Sequence, residues 1–209
     1  MARLSYNFYD GDTVEIAQRL LGKIVVRTLN APSGAVRLAG RITETEAYVG
    51  RCDKACHAYQ YRKTARTAPL FLPPGHAYVY LIYGMHHCLN FVTEPEGEPA
   101  AVLIRAIEAV AGADIMRRLR YGGRPSTAAR ERNLLNGPGK VCQALSLTTA
   151  QNGLDLTGDA LFVCDSPADI GFSELPPRRE IVRASPRIGI GYAEEARYFP
   201  WRFTLEPEL

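Results

Sequence analysis

Residues 77–92 read AYVYLIYGMHHCLNFV. Aromatic and β-branched residues fill Ala77–Tyr83, a Gly-Met turn follows at 84–85, and His87–Val92 is again mostly apolar. This pattern predicts a β-hairpin. The runs Lys23–Leu29 and Val36–Val49, separated by turn residues, predict a second antiparallel pair. Because the predicted connections are mostly of the hairpin type, we predict an α+β fold.

The rest of the chain is predicted to complete a single domain over residues 1–209, since domains of this length are common. No apolar run approaches the ~18 residues that a membrane span needs. Five cysteines, without the apolar core of a signal peptide at the N-terminus, favour a reducing cytoplasm.

Helices are predicted at Val14–Leu21, Asp114–Arg120, Thr127–Leu134 and Lys140–Leu145, and strands at Ala101–Ile107, Leu161–Cys164, Ile181–Ala184 and Phe203–Leu205.

Basic residues are unevenly distributed, although the net charge is only +3. Residues 51–66 contain five basic residues and one acidic residue, and residues 105–140 contain eight basic and three acidic ones. Segregated charge of this kind favours a face that binds a polyanion. A mixed, solvated surface would give the same composition.

Two carboxylates lie close together in the long predicted strand. Strand alternation places Ile42, Glu44, Glu46 and Tyr48 on one face. If that face lines a cleft, a carboxylate beside aromatic surface can act as a general base. The alternative is an ordinary solvated strand face.

Three tyrosines crowd the predicted hairpin. Tyr78 and Tyr80 share a face, whereas Tyr83 alternates to the other and lies beside the turn. Aromatic side chains stack on nucleobases, and a bulky residue at a hairpin tip can wedge between base steps. Packing in the core would explain the same residues, because aromatics are favoured in strands.

Two further groups suggest chemistry with less specificity. Cys52, Cys56 and His57 could bind zinc, but their spacing matches no familiar zinc motif, so no metal is expected. Gly137-Pro138-Gly139-Lys140 precedes a predicted helix and could seat a phosphate, with Lys140 a candidate nucleophile. A plain turn into a helix is the alternative. Cys88, Cys142 and Cys164 are predicted to be buried as small apolar residues.

Four ordered blocks together resemble the alkyladenine (3-methyladenine) DNA glycosylase family in its mammalian-type form, as a bacterial member. They are ETEAY at 44–48, YVYLIYGM at 78–85, LIRA at 103–106 and NGPGKVCQAL at 136–145. The resemblance implies a single α+β domain with a curved, mostly antiparallel sheet, flanking helices and a protruding hairpin that enters DNA. His86-His87 and the loop 58–72 depart from the mammalian sequences.

The resemblance also implies roles for individual residues. Glu46 would be the general base and Arg105 would lie at the back of the catalytic water site. Tyr48, His57 and Tyr80 would contact the flipped base, Asn90 would disfavour guanine, and Tyr83 would fill the gap left in the duplex. The DNA backbone would be contacted by Arg62, Lys63, Gly137, Gly139 and Lys140.

The expected function is a monofunctional DNA glycosylase that flips out alkylated or deaminated purines, of the 3-methyladenine, hypoxanthine and ethenoadenine class, and excises them by hydrolysis. Its partner would be double-stranded DNA with a damaged purine, and it would need no cofactor. It would act as a monomer in the bacterial cytoplasm, on the nucleoid when bound to DNA. A bifunctional glycosylase/lyase that uses Lys140 and a non-catalytic DNA-binding module remain alternatives.

Overall fold

The computed structural model describes residues 3–32 and 34–208. The α+β prediction is confirmed, because the described strands form one antiparallel sheet with a few short helices. The strands are β1 Ile24–Ala31, β2 Gly34–Val49, β3 Ala77–Ile82, β4 His86–Val92, β5 Ala100–Ala111, β6 Leu161–Cys164, β7 Glu180–Ser185 and β8 Arg202–Pro207. The α-helices are α1 Tyr6–Tyr9, α2 Thr13–Arg19, α3 Ala113–Tyr121, α4 Ala128–Arg132 and α5 Pro138–Ala144. Short 3₁₀ helices span Tyr59–Tyr61, Ala68–Phe71, Thr149–Gln151, Pro167–Ile170 and Glu194–Tyr198.

Strand β2 organises the sheet. The strand order is β3-β4-β5-β2-β1-β6, and β8 pairs with both β2 and β7. The pairing of β1 with β2 ends at Arg41, and further along β2 the residues Glu44–Glu46 pair with β8 on the same side. This part of β2 therefore lies between β5 on one side and β8 on the other. Side chains from three strands can meet there.

One face of the sheet carries the main core, against which α2, α3 and α5 pack. Ile42 and Ala47 of β2 are fully buried in it, with Val102 and Ile104 of β5. The Thr45 hydroxyl donates to the Ala17 carbonyl of α2 at 2.7 Å, which ties this face of β2 to the helix. Cys88, Cys142 and Cys164 are buried, as predicted.

A β-bulge corrects the predicted face of Ile42. Ile42 pairs with Ile107 and Glu44 with Ala106, so Thr43 has no partner on β5. The extra residue resets the side-chain alternation. Ile42 therefore packs in the main core, while Glu44 lies on the opposite face with Glu46 and Tyr48. The prediction that all four residues share one face is wrong for Ile42.

The hairpin turn also differs from the prediction. Ile82 pairs with His86, so the turn contains three residues, Tyr83–Met85, and not Gly-Met alone. Tyr83 and Gly84 have φ angles of 54° and 69°. Tyr83 thus belongs to the turn, and strand alternation does not set the direction of its side chain.

Other elements agree with the prediction within a few residues. Helix α4 is shorter than predicted because Thr127 is its N-cap, accepting from the Arg130 N–H, and the helix ends at Arg132. Strand β5 begins one residue earlier and extends to Ala111. In the described part of the chain, no helix has both the length and the apolar content needed to cross a membrane.

Candidate active site

A cavity of about 610 Å³ opens between the β3–β4 hairpin, the loop that follows β2 and the segment 188–192. It brings together residues that the sequence analysis selected from five separate stretches. The predicted residues that line it are Tyr48, His57, Tyr80, Tyr83, Asn90, Arg105, Gly137, Gly139 and Lys140. Glu46 lies directly behind this wall.

Glu46 is completely buried, and three groups that donate to it come from different parts of the chain. Its Oε2 accepts the Tyr48 hydroxyl at 2.7 Å and Arg105 Nη1 at 3.3 Å. Its Oε1 accepts the Ile188 backbone N–H at 2.8 Å. An ionised carboxylate has about four lone-pair sites. Three are used by described residues, so one lone-pair site, on Oε1, has no donor among them.

Burial raises the pKa of Glu46 above its ordinary value, while Arg105, the Ile188 N–H and the Tyr48 hydroxyl oppose that rise. Desolvation of the charged form is the largest cause. A carboxylate with a raised pKa is a stronger base than an ordinary glutamate. The site thus combines a fixed carboxylate with increased basicity, as general-base catalysis requires.

Glu44 fixes Arg105 in place. Arg105 Nε donates to Glu44 Oε1 at 2.8 Å, and Arg202 Nε of β8 donates to the same oxygen at 2.6 Å. Arg105 lies at a second register shift, because Glu44 pairs with Ala106 and Thr45 with Ile104. Bulges next to active sites commonly redirect a side chain in this way. Glu44 therefore holds the arginine that in turn contacts Glu46.

Three aromatic side chains form one wall of the cavity. The rings of Tyr78 and Tyr80 lie 5.2 Å apart, and the imidazole of His57 meets the Tyr80 ring edge-on at 4.6 Å. His57 Nδ1 hydrogen-bonds with the Tyr78 hydroxyl at 3.0 Å. Burial, with a smaller effect of Arg66, lowers the pKa of His57 to about 4, so its ring is neutral at physiological pH. The wall presents uncharged π surfaces to a ligand.

Asn90 is buried, and its orientation is fixed by the backbone. Its Nδ2 donates to the Tyr78 carbonyl at 3.0 Å and is 3.5 Å from the Cys88 carbonyl. The amide oxygen is then the polar atom left for the cavity, which Asn90 helps to line. Asn90 therefore offers a ligand a fixed acceptor.

Tyr83 lies at the cavity mouth, on the hairpin tip. Its exposed fraction is 81%, and that of Met85 in the same turn is 70%. Core packing, the alternative explanation for Tyr83, is therefore wrong. Tyr78, in contrast, is a buried core residue.

The Gly-Pro-Gly-Lys segment packs beside the hairpin. A Cβ on Gly139 would lie 3.1 Å from the His86 Cβ, so any larger residue here would press on the exposed His86 side chain. Lys140 Nζ donates to the side-chain oxygens of Asn133 at 2.9 Å and Asn136 at 2.7 Å. Arg62 and Lys63 are exposed and lie outside the cavity lining.

The zinc alternative finds no support in the described residues, where no three His, Cys, Asp or Glu side chains are grouped to hold a metal ion. Cys52 is exposed, Cys56 is buried, and His57 Nδ1 is engaged by Tyr78. The three residues do not form one binding site.

The sequence analysis missed the segment that closes the far side of the cavity. Ile188, Gly189, Ile190 and Tyr192 line it, and Ile188 also supplies the backbone donor to Glu46. The segment lies more than 140 residues from Glu46 in the chain, and backbone donors leave no side-chain signature. The Ile-Gly-Ile-Gly-Tyr run at 188–192 is the sequence feature that could have drawn attention to it.

Comparison with known proteins identifies the family of this chain. The family described as methylpurine-DNA glycosylase matches residues 7–208. A Bacillus cytotoxicus protein, named by inference a 3-methyladenine DNA glycosylase, is 48% identical over 199 residues, covering 95% of this chain and 94% of that protein. A Bacillus cereus protein of the same name is 46% identical over 200 residues, covering 96% and 94%. The chain belongs to the methylpurine-DNA glycosylase family.

Proposed function

We propose that this protein is a monofunctional DNA glycosylase that flips alkylated or deaminated purines out of double-stranded DNA and releases them by hydrolysis. Its family makes it a hydrolase of N-glycosidic bonds in DNA. The observation that carries the finer proposal is the buried Glu46 carboxylate, held by three donors behind a cavity with an aromatic wall. An enzyme that acts on a base must take it out of the stack, and this cavity would receive it.

The aromatic wall favours bases with a positive charge. Tyr48, His57 and Tyr80 line the cavity, and a cationic ring such as that of 3-methyladenine is attracted to π faces. Because the His57 ring is neutral at physiological pH, it does not repel such a base. Asn90, fixed by its bond to the Tyr78 carbonyl, is proposed to disfavour guanine by crowding its exocyclic amine.

The chemistry follows from the position of Glu46. As the N-glycosidic bond breaks, its electron pair leaves with the base and C1′ gains oxocarbenium character. A water on Glu46 Oε1 attacks C1′, and its proton passes to the carboxylate. Arg105 keeps Glu46 in place through its contact with Oε2. The atoms and electrons of this step balance without a metal or an organic cofactor.

The exposed hairpin tip would stabilise the flipped state. Tyr83 is suited to fill the space left in the duplex, since it is exposed at the mouth of the same cavity. Arg62, Lys63, Gly137, Gly139 and Lys140 are proposed to contact the phosphate backbone. We further propose that the enzyme works as a monomer in the bacterial cytoplasm, with residues 1–209 as one catalytic domain.

A duplex with one damaged purine tests the proposal directly. Incubation with the enzyme should release free 3-methyladenine, hypoxanthine or ethenoadenine and leave an abasic site, while an undamaged duplex stays intact. Binding without release of any of these bases would instead support the DNA-binding alternative.

The pH dependence of excision should differ between lesions. Because burial raises the pKa of Glu46, excision of cationic 3-methyladenine should rise as the pH passes that raised value and then level off. Hypoxanthine is neutral and must gain a proton as it leaves, so its excision should fall again at higher pH and give a bell-shaped profile. Single-turnover rates across the pH range measure both. A flat profile for 3-methyladenine through the acidic limb would contradict this assignment.

A further inference from the structure

A fully buried ion pair lies directly behind the cavity. The side chains of Arg187 and Asp53 are both 0% exposed, and they form two hydrogen bonds, one of them from Nη2 to Oδ1 at 2.8 Å. Removing two charges from water is costly, and such pairs are often no more stabilising than apolar residues of similar size. Stability of the fold alone is therefore a weak explanation for this pair.

Arg187 fixes two stretches of backbone that hold Glu46: the strand that carries it and the segment that donates to it. Its Nη1 donates at 2.7 Å to the carbonyl of Ala47, the residue between Glu46 and Tyr48. The residue after it, Ile188, donates its N–H to Glu46 Oε1. A shift of Arg187 would thus move the strand that carries Glu46 and also a donor that orients its carboxylate.

The guanidinium also supports a wall of the cavity. It lies 4.6 Å from the centre of the Tyr48 ring and 5.2 Å from that of Trp201. Tyr48 lines the cavity, and its hydroxyl donates to Glu46 Oε2. Arg187 therefore supports the donors to both carboxylate oxygens, the Ile188 N–H for Oε1 and the Tyr48 hydroxyl for Oε2. Among the described residues it makes no hydrogen bond to Glu46 itself.

We propose that Arg187, held in place by Asp53, is a positioning residue for base excision: it sets the Ile188 N–H and the Tyr48 ring so that Glu46 Oε1 faces the attacking water. This inference rests on the proposed function. Arginine is required because its planar fork reaches Asp53, Ala47 and, at 3.2 Å, the Ala196 carbonyl while stacking on two rings. A lysine ammonium is a point charge and cannot make all these contacts.

The variant Arg187→Lys tests the inference because it keeps the charge opposite Asp53. We expect unfolding to stay cooperative, because lysine keeps a positive charge opposite Asp53. Binding to undamaged duplex should also be retained, because the pair is buried and cannot contact DNA. Single-turnover excision should fall roughly 10- to 100-fold, the size of effect that a displacement near 1 Å produces. The control is Arg41→Lys, because Arg41 forms a similar two-bond pair with Glu180 outside the cavity, and excision should be unchanged there.

The pH profile separates positioning from a general loss of stability. Glu46 is faced by Arg105 from β5, by Tyr48 and Glu44 from β2, and by the Ile188 N–H. Arg105 and Glu44 keep their places in Arg187→Lys, because Arg187 contacts neither of these described residues, whereas Tyr48 and the Ile188 N–H lose their support. Since the Ile188 N–H lowers the pKa of Glu46, its displacement should move the acidic limb of excision to higher pH. A merely destabilised enzyme would keep the wild-type midpoint.

Asp53→Asn provides a second variant, which keeps the shape of the partner but removes its charge. It should lower excision, as Arg187→Lys does, because the arginine loses the partner that holds it. Wild-type rates and midpoints in both variants would overturn the inference while leaving the proposed function intact. Loss of cooperative unfolding in both would also overturn it, because the pair would then serve the fold itself. Failure of the wild-type enzyme to release a base would instead reject the proposed function.

Discussion

Glu46→Gln will lower single-turnover excision by at least ~10², the low end of general-base contributions, while binding of the damaged duplex survives. Glutamine keeps the shape of the side chain, and its oxygen can still accept the Ile188 N–H. The amide NH2 then takes the place of Oε2, so Arg105 Nη1 loses that acceptor but Arg105 keeps its bond to Glu44 at 2.8 Å, and the Tyr48 hydroxyl can accept from the amide. What is lost is the ability to take a proton from water.

Glu44→Gln is the matched control for this substitution. Glu44 lies on the same strand face but accepts from two arginines, Arg105 and Arg202, whereas Glu46 accepts from the cavity-lining residues Tyr48 and Ile188. Its replacement should have the smaller effect on excision. Near-wild-type excision by Glu46→Gln, measured with binding and thermal unfolding, would reject Glu46 as the base.

Tyr83→Ala will reduce excision most where the lesion is hard to flip. Without the ring in the duplex, the flipped state loses stacking of about 1–3 kcal/mol, the range for base–aromatic contacts. At tenfold per 1.4 kcal/mol, the flipped population falls roughly 5- to 150-fold. Hypoxanthine opposite a well-paired cytosine should therefore be affected more than hypoxanthine in a single strand. Single-turnover rates on the two substrates measure the difference.

Stability provides the internal check on Tyr83→Ala. Because Tyr83 is 81% exposed, the change should alter the free energy of unfolding by only about 0.5 kcal/mol. Tyr198→Ala is the matched control, since Tyr198 is 66% exposed and lies outside the cavity lining. An equal loss on both substrates, or the same loss in Tyr198→Ala, would contradict the role of Tyr83 as a plug.

Local patterns predicted the residues that share one strand or hairpin. Alternation placed Glu44, Glu46 and Tyr48 together, and the structure confirms that they meet. It failed for Ile42 because a bulge at Thr43 arises from pairing with β5, which the sequence of β2 alone does not reveal. It also failed for Tyr83, because tyrosine is disfavoured at the positive φ that this turn imposes.

Contacts between distant segments were beyond such patterns. The depth of Glu46 depends on Arg105 and on Ile188, which approach from different parts of the fold. Asp53 and Arg187, separated by 134 residues, had no feature that marked them as a pair. The resemblance to a glycosylase family identified the base and the wall of the cavity, but the support behind them became visible only in three dimensions.

In the proposed mechanism a water on Glu46, and not an amine, attacks C1′ as the glycosidic bond breaks. Lys140 is the amine to exclude, because it also lines the cavity. The most direct measurement is product analysis with a single-lesion duplex in the presence and absence of borohydride. We expect free base, an intact abasic strand and no covalent adduct, with release lowered at least ~10²-fold in Glu46→Gln and retained in Lys140→Gln. A borohydride-trapped adduct that disappears in Lys140→Gln would contradict this mechanism.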